Sequence, residues 1–172
     1  MRKLIAVAAA AALAAPAAVA VAQPKGTAPT TPTHGCKQLR HDMGTSAFRQ
    51  AYGTNRNHAN AMGKCRSAEA KALKSDARGA RKACATERAA DPAAFAKKYG
   101  TGKKGRNAFG KCVSSTTGRN TADRHDAVVN AARRCRKERA DDPAGFKDTY
   151  GTGKRKANAF GRCVAKTARA KS

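Results

Sequence analysis

The chain has little of the material from which ordinary protein cores are built. It has no Trp, and after Ala22 it contains no Ile, two Leu, four Val and five Phe. Its hydrophobic fraction of 41% consists mostly of Ala, and its formal net charge is +25. Such a composition alone would favour disorder, because so little apolar burial can offset the loss of chain entropy. A large core is therefore excluded, and another source of stability is required.

Catalytic and metal-binding motifs are also missing. There is no C-x-x-C sequence and no paired His, which argues against zinc, the competing interpretation of the cysteines. The G-T-G-K segments at Gly100 and Gly151 continue into Lys104 and Arg155 rather than Ser or Thr, and they follow a predicted helix, so they do not match a phosphate-binding P-loop. We predict no catalytic residue, no metal site, no cofactor and no small-molecule substrate. The four His do not recur between repeats and are predicted to lie on the surface: His34, His41, His58 and His125.

The N-terminus indicates export. A basic start, Met1-Arg2-Lys3, precedes an apolar run and an Ala20-Val21-Ala22 end, the pattern of a cleaved signal peptide over residues 1–22. A membrane anchor is the alternative, but the run is short and Pro16 interrupts it. No other segment is apolar enough to cross a bilayer. Residues 23–35 are rich in Pro and Thr and predict a flexible linker. The expected location is secreted or associated with the cell envelope, and nothing in the sequence indicates a particular oligomeric state.

One segment occurs three times. It reads FRQAYGTNRNHANAMGKCR from Phe48, FAKKYGTGKKGRNAFGKCV from Phe95 and FKDTYGTGKRKANAFGRCV from Phe146. A repeat at a near-constant interval indicates one supersecondary unit placed in series. We therefore divide the chain after the linker into module 1 (36–66), module 2 (67–113) and module 3 (114–172).

Each module contains two Cys at nearly equal spacing. An even number of Cys behind an export signal predicts a disulfide framework. The repeat selects one pairing, within each module: Cys36–Cys65, Cys84–Cys112 and Cys135–Cys163. Closing a loop of this length contributes about 3 kcal/mol in the chain-entropy model, which is decisive for so small a core.

The remaining patterns predict helices. Ser67–Ala90 and Thr121–Ala140 are rich in strong helix formers, and Asp91-Pro92 and Asp142-Pro143 are start signals for short helices. A further helix in each module is predicted to be capped by Asn60, Asn107 or Asn158. The short helix in module 1 is predicted to be capped by Thr45 or Ser46. The predicted class is all-α, with three small disulfide-stapled helical modules in series. Two residue sets are expected to pack inside, the aromatic side chains in module cores and the glycines at close helix contacts: Phe95, Tyr99, Phe109, Phe146, Tyr150 and Phe160; Gly63, Gly110 and Gly161.

The repeated segments resemble those of uncharacterised secreted proteins of actinobacteria, which carry F-x-x-x-Y-G-T followed by N-A-F-G-[KR]-C-V. The resemblance covers modules 2 and 3 well and module 1 less well, since that copy has Met62 for Phe and Arg66 for Val. It implies secretion and disulfide bonds, but it does not indicate any particular activity.

The basic loops before the Asn residues carry the main functional signal. Exposed backbone N–H groups beside Lys and Arg form a good anion site. We therefore predict a non-enzymatic protein that binds an anionic polymer or surface, such as cell-wall polysaccharide, nucleic acid or an anionic membrane. Two alternatives stay open: a cationic membrane-active defence or toxin-like protein, and a structural secreted protein whose Lys and Arg are only solvated. The candidate binding residues are Arg56, Lys103, Lys104, Arg106, Lys154, Arg155 and Lys156.

Overall fold

The computed structural model describes residues 29–102 and 105–170. These residues form seven helices and no strand, as the all-α prediction requires. The helices are α1 (Pro32–Met43), α2 (Thr45–Tyr52), α3 (Ala61–Ala90), α4 (Pro92–Tyr99), α5 (Ala108–Asp141), α6 (Pro143–Tyr150) and α7 (Ala159–Arg169).

The short helices α4 and α6 begin where the sequence predicts. The Asp91 carboxylate accepts hydrogen bonds from the N–H groups of Ala93 and Ala94 at 3.1 and 2.9 Å. Asp142 accepts one from Gly145 at 2.9 Å. A Pro at the first helical position follows each Asp and needs no hydrogen-bond partner for its nitrogen. The predicted Thr45 or Ser46 cap of α2 is wrong, because α2 starts directly after Gly44, whose φ of 80° breaks the chain away from α1.

The cysteine pairing is confirmed. Disulfide bonds join Cys36 to Cys65, Cys84 to Cys112 and Cys135 to Cys163. They connect α1 to α3, α3 to α5, and α5 to α7. Each bond therefore links consecutive long elements, and the short helix between them is held against the pair.

The long helices α3 and α5 are each shared by two modules. They run antiparallel, because Asp76 of α3 contacts Thr121 of α5 while the earlier Glu69 contacts the later Arg124. Module 2 consequently lies at one end of this helical pair, where α3 ends and α5 begins. Modules 1 and 3 lie together at the opposite end.

The core is divided between the two ends. At the module 2 end, one small cluster has four buried members, Cys84, Phe95, Ala108 and Cys112. Modules 1 and 3 instead share one larger cluster to which α1, α2, α3, α5, α6 and α7 all contribute. The division follows from chain path, since the antiparallel helices bring the first and last modules side by side.

The predicted aromatic cores are confirmed for Phe95, Phe146 and Phe160, which are buried. Tyr99 and Tyr150 are half-buried and donate hydrogen bonds to Glu87 and Glu138 at 3.0 and 3.2 Å. Phe109 is also only partly buried, but it packs against the module 2 cluster as predicted, and the Arg88 guanidinium lies over its ring.

The glycine prediction holds at one position of three. A Cβ on Gly161 would lie 2.8 Å from the Ala51 carbonyl oxygen, so α7 and α2 approach closely there. At Gly63 and Gly110 an added Cβ would meet no atom within 4 Å, which contradicts the expected close contact.

The N-terminal predictions are only partly within view. The predicted signal peptide (1–22) and residues 23–28 of the predicted linker lie outside the described residues. Pro32–Gly35 fall within the predicted flexible linker, but they form the first turn of α1, capped by the Thr31 hydroxyl at 3.2 Å from the His34 nitrogen. Among the helices of the described ranges, none is both long enough and apolar enough to cross a membrane.

Candidate functional site

The segment between each short helix and the next helix has the same construction in every module. We name these segments loop 1 (53–60), loop 2 (100–107) and loop 3 (151–158). In loop 3, the Asn158 side chain accepts from the Thr152 N–H at 2.9 Å and donates to the Thr152 hydroxyl at 2.6 Å. Asn107 makes the same pair of bonds to Thr101, and Asn60 to Thr54. The Asn residues do precede their helices as predicted, but their side chains close the loop instead of capping the helix.

Glycine begins each loop for a steric reason. A Cβ on Gly151 would lie 2.5 Å from the Cβ of Lys156, and one on Gly53 would lie 2.5 Å from the Cβ of His58. In loop 2 the same contact would involve Gly105, at 2.7 Å. The loop thus folds back on its own first residue, and only a glycine leaves room for this.

The residue that touches this glycine has a left-handed backbone in all three loops. Its φ is 54° at His58, 54° at Gly105 and 47° at Lys156. Gly adopts such a φ without strain, whereas a residue with a Cβ loses about 1–2 kcal/mol there. Loops 1 and 3 therefore carry a side chain at a position where loop 2 has none. The His58 ring is held in place by its Nδ1 atom, 3.0 Å from the Gly53 carbonyl oxygen.

Loops 1 and 3 meet across one cleft, which we call the inter-loop cleft. Its volume is about 680 Å³. Five cationic side chains and one His line it, and none of its lining residues, all within the described ranges, is acidic. The close contact between Gly161 and Ala51 brings its two sides together. The cations are Arg56 from loop 1, Lys154, Arg155 and Lys156 from loop 3, and Arg162 from α7.

The structure brings four of the predicted binding residues together and leaves one apart. Arg56, Lys154, Arg155 and Lys156 line the inter-loop cleft. Arg106 of loop 2 is exposed at the other end of the molecule, roughly 40 Å away along α3 at 1.5 Å per residue. The predicted residues Lys103 and Lys104 lie outside the described ranges.

Two features of the cleft were not predicted. The first is that Arg162 lines the cleft. Each repeat has a Lys or Arg just before its second Cys, and this recurrence is the sequence signal that could have identified Arg162. The Lys156 ammonium forms an ion pair with the Asp148 carboxylate on α6. Lys156 is therefore partly neutralised, and Arg56, Lys154 and Arg155 are the more available cations.

A second polar cluster lies between α3 and α5, away from the loops. The Arg124 guanidinium donates to both oxygens of Glu69, at 2.6 and 3.1 Å, and its Nε donates to Asp76 at 3.2 Å. The His125 Nε2 atom lies 3.0 Å from Glu69. Glu69 and His125 are buried, so the prediction of an exposed His is wrong for His125. The His125 ring faces α3, where it contacts the buried Glu69 carboxylate, which would be costly to bury without such a partner.

This cluster perturbs the ionisation of Glu69 and, through the Glu69 charge, that of Tyr52 on α2. Burial by itself would raise the pKa of the Glu69 carboxyl, but hydrogen bonds and charge from His125 and Arg124 outweigh it and hold the pKa below its ordinary range. Burial and the adjacent Glu69 carboxylate raise the pKa of the Tyr52 phenol. Glu69 is thus an anion at neutral pH, and the cluster is an internal ion-pair network rather than an open site.

No group of three or more His, Cys, Asp or Glu in the described part of the chain is arranged to hold a metal ion. No protein-family model matches the chain, and neither a curated protein nor a solved structure shows significant similarity to it.

Proposed function

We propose that this is a secreted, non-enzymatic protein that binds anionic polymers at the cell envelope or outside the cell. The observation that carries the proposal is the inter-loop cleft, where cations from two separate loops line one concave surface without an acidic residue among them. Arg and Lys held on loops that are closed by internal hydrogen bonds lose less side-chain and backbone freedom on binding than flexible ones. The export signal, the disulfide bonds and the resemblance to secreted actinobacterial proteins support the location.

Loop 2 extends the proposal to long polymers. It has the same internal bonds as the other loops and carries Arg106, together with Lys103 and Lys104 in sequence. A polymer that reaches both ends of the helical pair would bind more tightly than a short one, because the second contact becomes intramolecular. Heparin chains graded by length provide a direct probe of this effect.

The test compares charge at the cleft with the same charge elsewhere. The triple variant R56Q/K154Q/R155Q should lose most heparin affinity, and the slope of log K against log salt should fall by about 0.9 for each lost ionic contact if counterion release follows the DNA value. The matched control, K71Q/K74Q/R78Q, removes three exposed cations from α3 and should bind almost as the native protein does. Equal loss in both variants would mean that only bulk charge matters.

Two further results would contradict the proposal. Absence of heparin binding at about 0.15 M salt would favour a structural protein without a specific ligand. Leakage of dye from vesicles that contain anionic lipid would favour the membrane-active alternative. We expect no leakage, because none of the Leu, Val and Phe residues in the described helices is exposed, and membrane-active helices need an exposed apolar face.

A further inference from the structure

We infer that the inter-loop cleft holds one flexible chain with closely spaced phosphate groups, as in polyphosphate or a polyol phosphate, and discriminates against nucleic acid. This inference depends on the proposed function and narrows the class of polymer. It is drawn from the size of the cleft, from the chemistry of its lining and from the strained residues in its two loops.

The size of the cleft fits a segment of a single chain. Its volume of about 680 Å³ falls within the range of small-molecule sites. A nucleic-acid duplex is stiff over about 150 base pairs and presents its phosphates on a convex surface, so it cannot bend a segment into such a space. A chain with freely rotating bonds between its phosphates can enter.

The lining offers no platform for bases. None of the residues around the cleft, all of which the structure describes, is Phe, Tyr or Trp. Single-stranded nucleic acids are normally bound by stacking their bases on such rings. His58 is the one imidazole, and its ring is held against the Gly53 carbonyl. The hydroxyl oxygens of Thr54 and Thr152 accept from the loop Asn side chains, which leaves each O–H able to donate to an oxygen of a polyol chain.

The arrangement of the cations favours phosphate over carboxylate. Arg56 comes from one loop and Arg155 from the other, so the cleft offers guanidinium donors from two sides. The oxygens of a phosphate point to several directions at once, whereas the two oxygens of a carboxylate lie in one plane and suit one guanidinium. A phosphate group can therefore bridge the loops.

The backbone of the two loops supports a binding role for their side chains. His58 and Lys156 have left-handed φ values at the position where loop 2, which is outside the cleft, has Gly105. Both line the cleft. Strained residues with a Cβ are most often found where their side chains have a task. Loops 1 and 3 thus have a side chain at the position where loop 2 has glycine.

Four polymers of matched charge test the inference with the full mature protein: polyphosphate, glycerol phosphate oligomers, oligo(dT) and polyglutamate. We expect at least one of the first two to bind about tenfold more tightly than the other two, the equivalent of one charge-assisted hydrogen bond. The ratio between polyphosphate and glycerol phosphate tells which source of phosphate fits better. Equal binding of all four, or tightest binding of oligo(dT) or polyglutamate, would overturn the inference while leaving polyanion binding intact. Absence of binding by all four would defeat both.

Lys156 provides a second test that does not depend on the polymer panel alone. K156G should be as stable as the native protein or more stable, since Gly105 shows that the loop accepts Gly there. The same variant should weaken polyphosphate binding several-fold, to the level of K156Q, which loses the charge but keeps a Cβ. A K156G protein that binds polyphosphate like the native one would contradict the inference. So would one whose stability falls, because Lys156 would then serve the loop fold.

Discussion

The two ends of the helical pair carry related sequence in different surroundings. In module 3, Arg139 lies over the ring of Phe160 at 5.0 Å, and in module 2, Arg88 lies over Phe109 at 4.9 Å. Arg139 also donates a hydrogen bond to Gln50 of module 1, and Phe160 is buried. Phe109 remains half-exposed. The repeat therefore fixes the local geometry, while burial depends on which module lies next to it.

The same comparison explains why the inter-loop cleft lies at one end of the helical pair. Two loops face each other only where modules 1 and 3 meet, and that meeting also produces the larger core. Module 2 has the loop without a partner loop. Its stability must depend more on its disulfide bond and its single Phe95–Tyr99 pair, whose ring centroids are 4.9 Å apart.

The disulfide bonds give the largest expected difference between the ends. Loss of either bond should reduce stability by about 3 kcal/mol, since the closed loops have the same length. In C84S/C112S we expect the amides of α4 to lose hydrogen-exchange protection, because the core cluster at that end has only four buried members. In C135S/C163S the amides of α6 should stay protected by the shared core. Equal loss of protection in α4 and α6 would refute the two-core description.

Acid should reduce stability mainly at the end where modules 1 and 3 lie. The folded-state pKa of Glu69 lies below its ordinary value of 4.5, so its stabilising contribution is complete above that value and disappears as the pH falls through the folded pKa. Gly35 of α1 is packed so closely on this network that an added Cβ would lie 3.0 Å from a Glu69 oxygen. We therefore expect α1 to loosen in acid before α4 does.

Urea unfolding between about pH 6 and pH 3 measures this effect as the difference between the native protein and E69Q. The native protein should lose more stability than E69Q across that interval. Parallel curves for the two proteins would show that Glu69 does not sense the pH.

Two Gly-to-Ala substitutions give the smallest effect, and we expect opposite signs. G110A adds a methyl group in open space on a helix and should stabilise by up to about 1 kcal/mol. G161A places the methyl 2.8 Å from the Ala51 carbonyl and should destabilise the contact between modules 1 and 3. Urea unfolding measures the stability of G110A and G161A, with G63A as a second substitution in open space. A G161A protein more stable than the native one would contradict the close contact between α7 and α2.

Local features were predictable because their causes lie within a few residues. The Asp caps and the Phe–Tyr pairs follow from short local motifs, and the cysteine pairing follows from the near-equal Cys spacing in the three modules. The meeting of modules 1 and 3 does not, because it depends on the antiparallel pairing of α3 and α5 across more than forty residues. Comparison between repeats also misses the network of Glu69, Arg124 and His125, which lies in the connecting parts of these helices.

The candidate site was predictable in part, as three of its cations show: Arg56, Lys154 and Arg155. Their position beside the repeated Asn identified them as loop cations, and the structure places them there. That two of the loops face one another could not be inferred, since the sequence treats the three loops alike. The half-exposed Phe109 has the same origin, because its repeat gives no sign that a neighbouring module is missing.

The shared helices also set the angle at which one module follows another. The stretch from Cys112 to Cys135 in α5 is four residues longer than the stretch from Cys65 to Cys84 in α3. Four residues are close to one full turn, so the longer spacer advances the next module by about 6 Å and rotates it by only about 40°. A single inserted residue would rotate it by about 100°. The spacers can therefore lengthen by whole turns, while any other change would point the two basic loops away from each other.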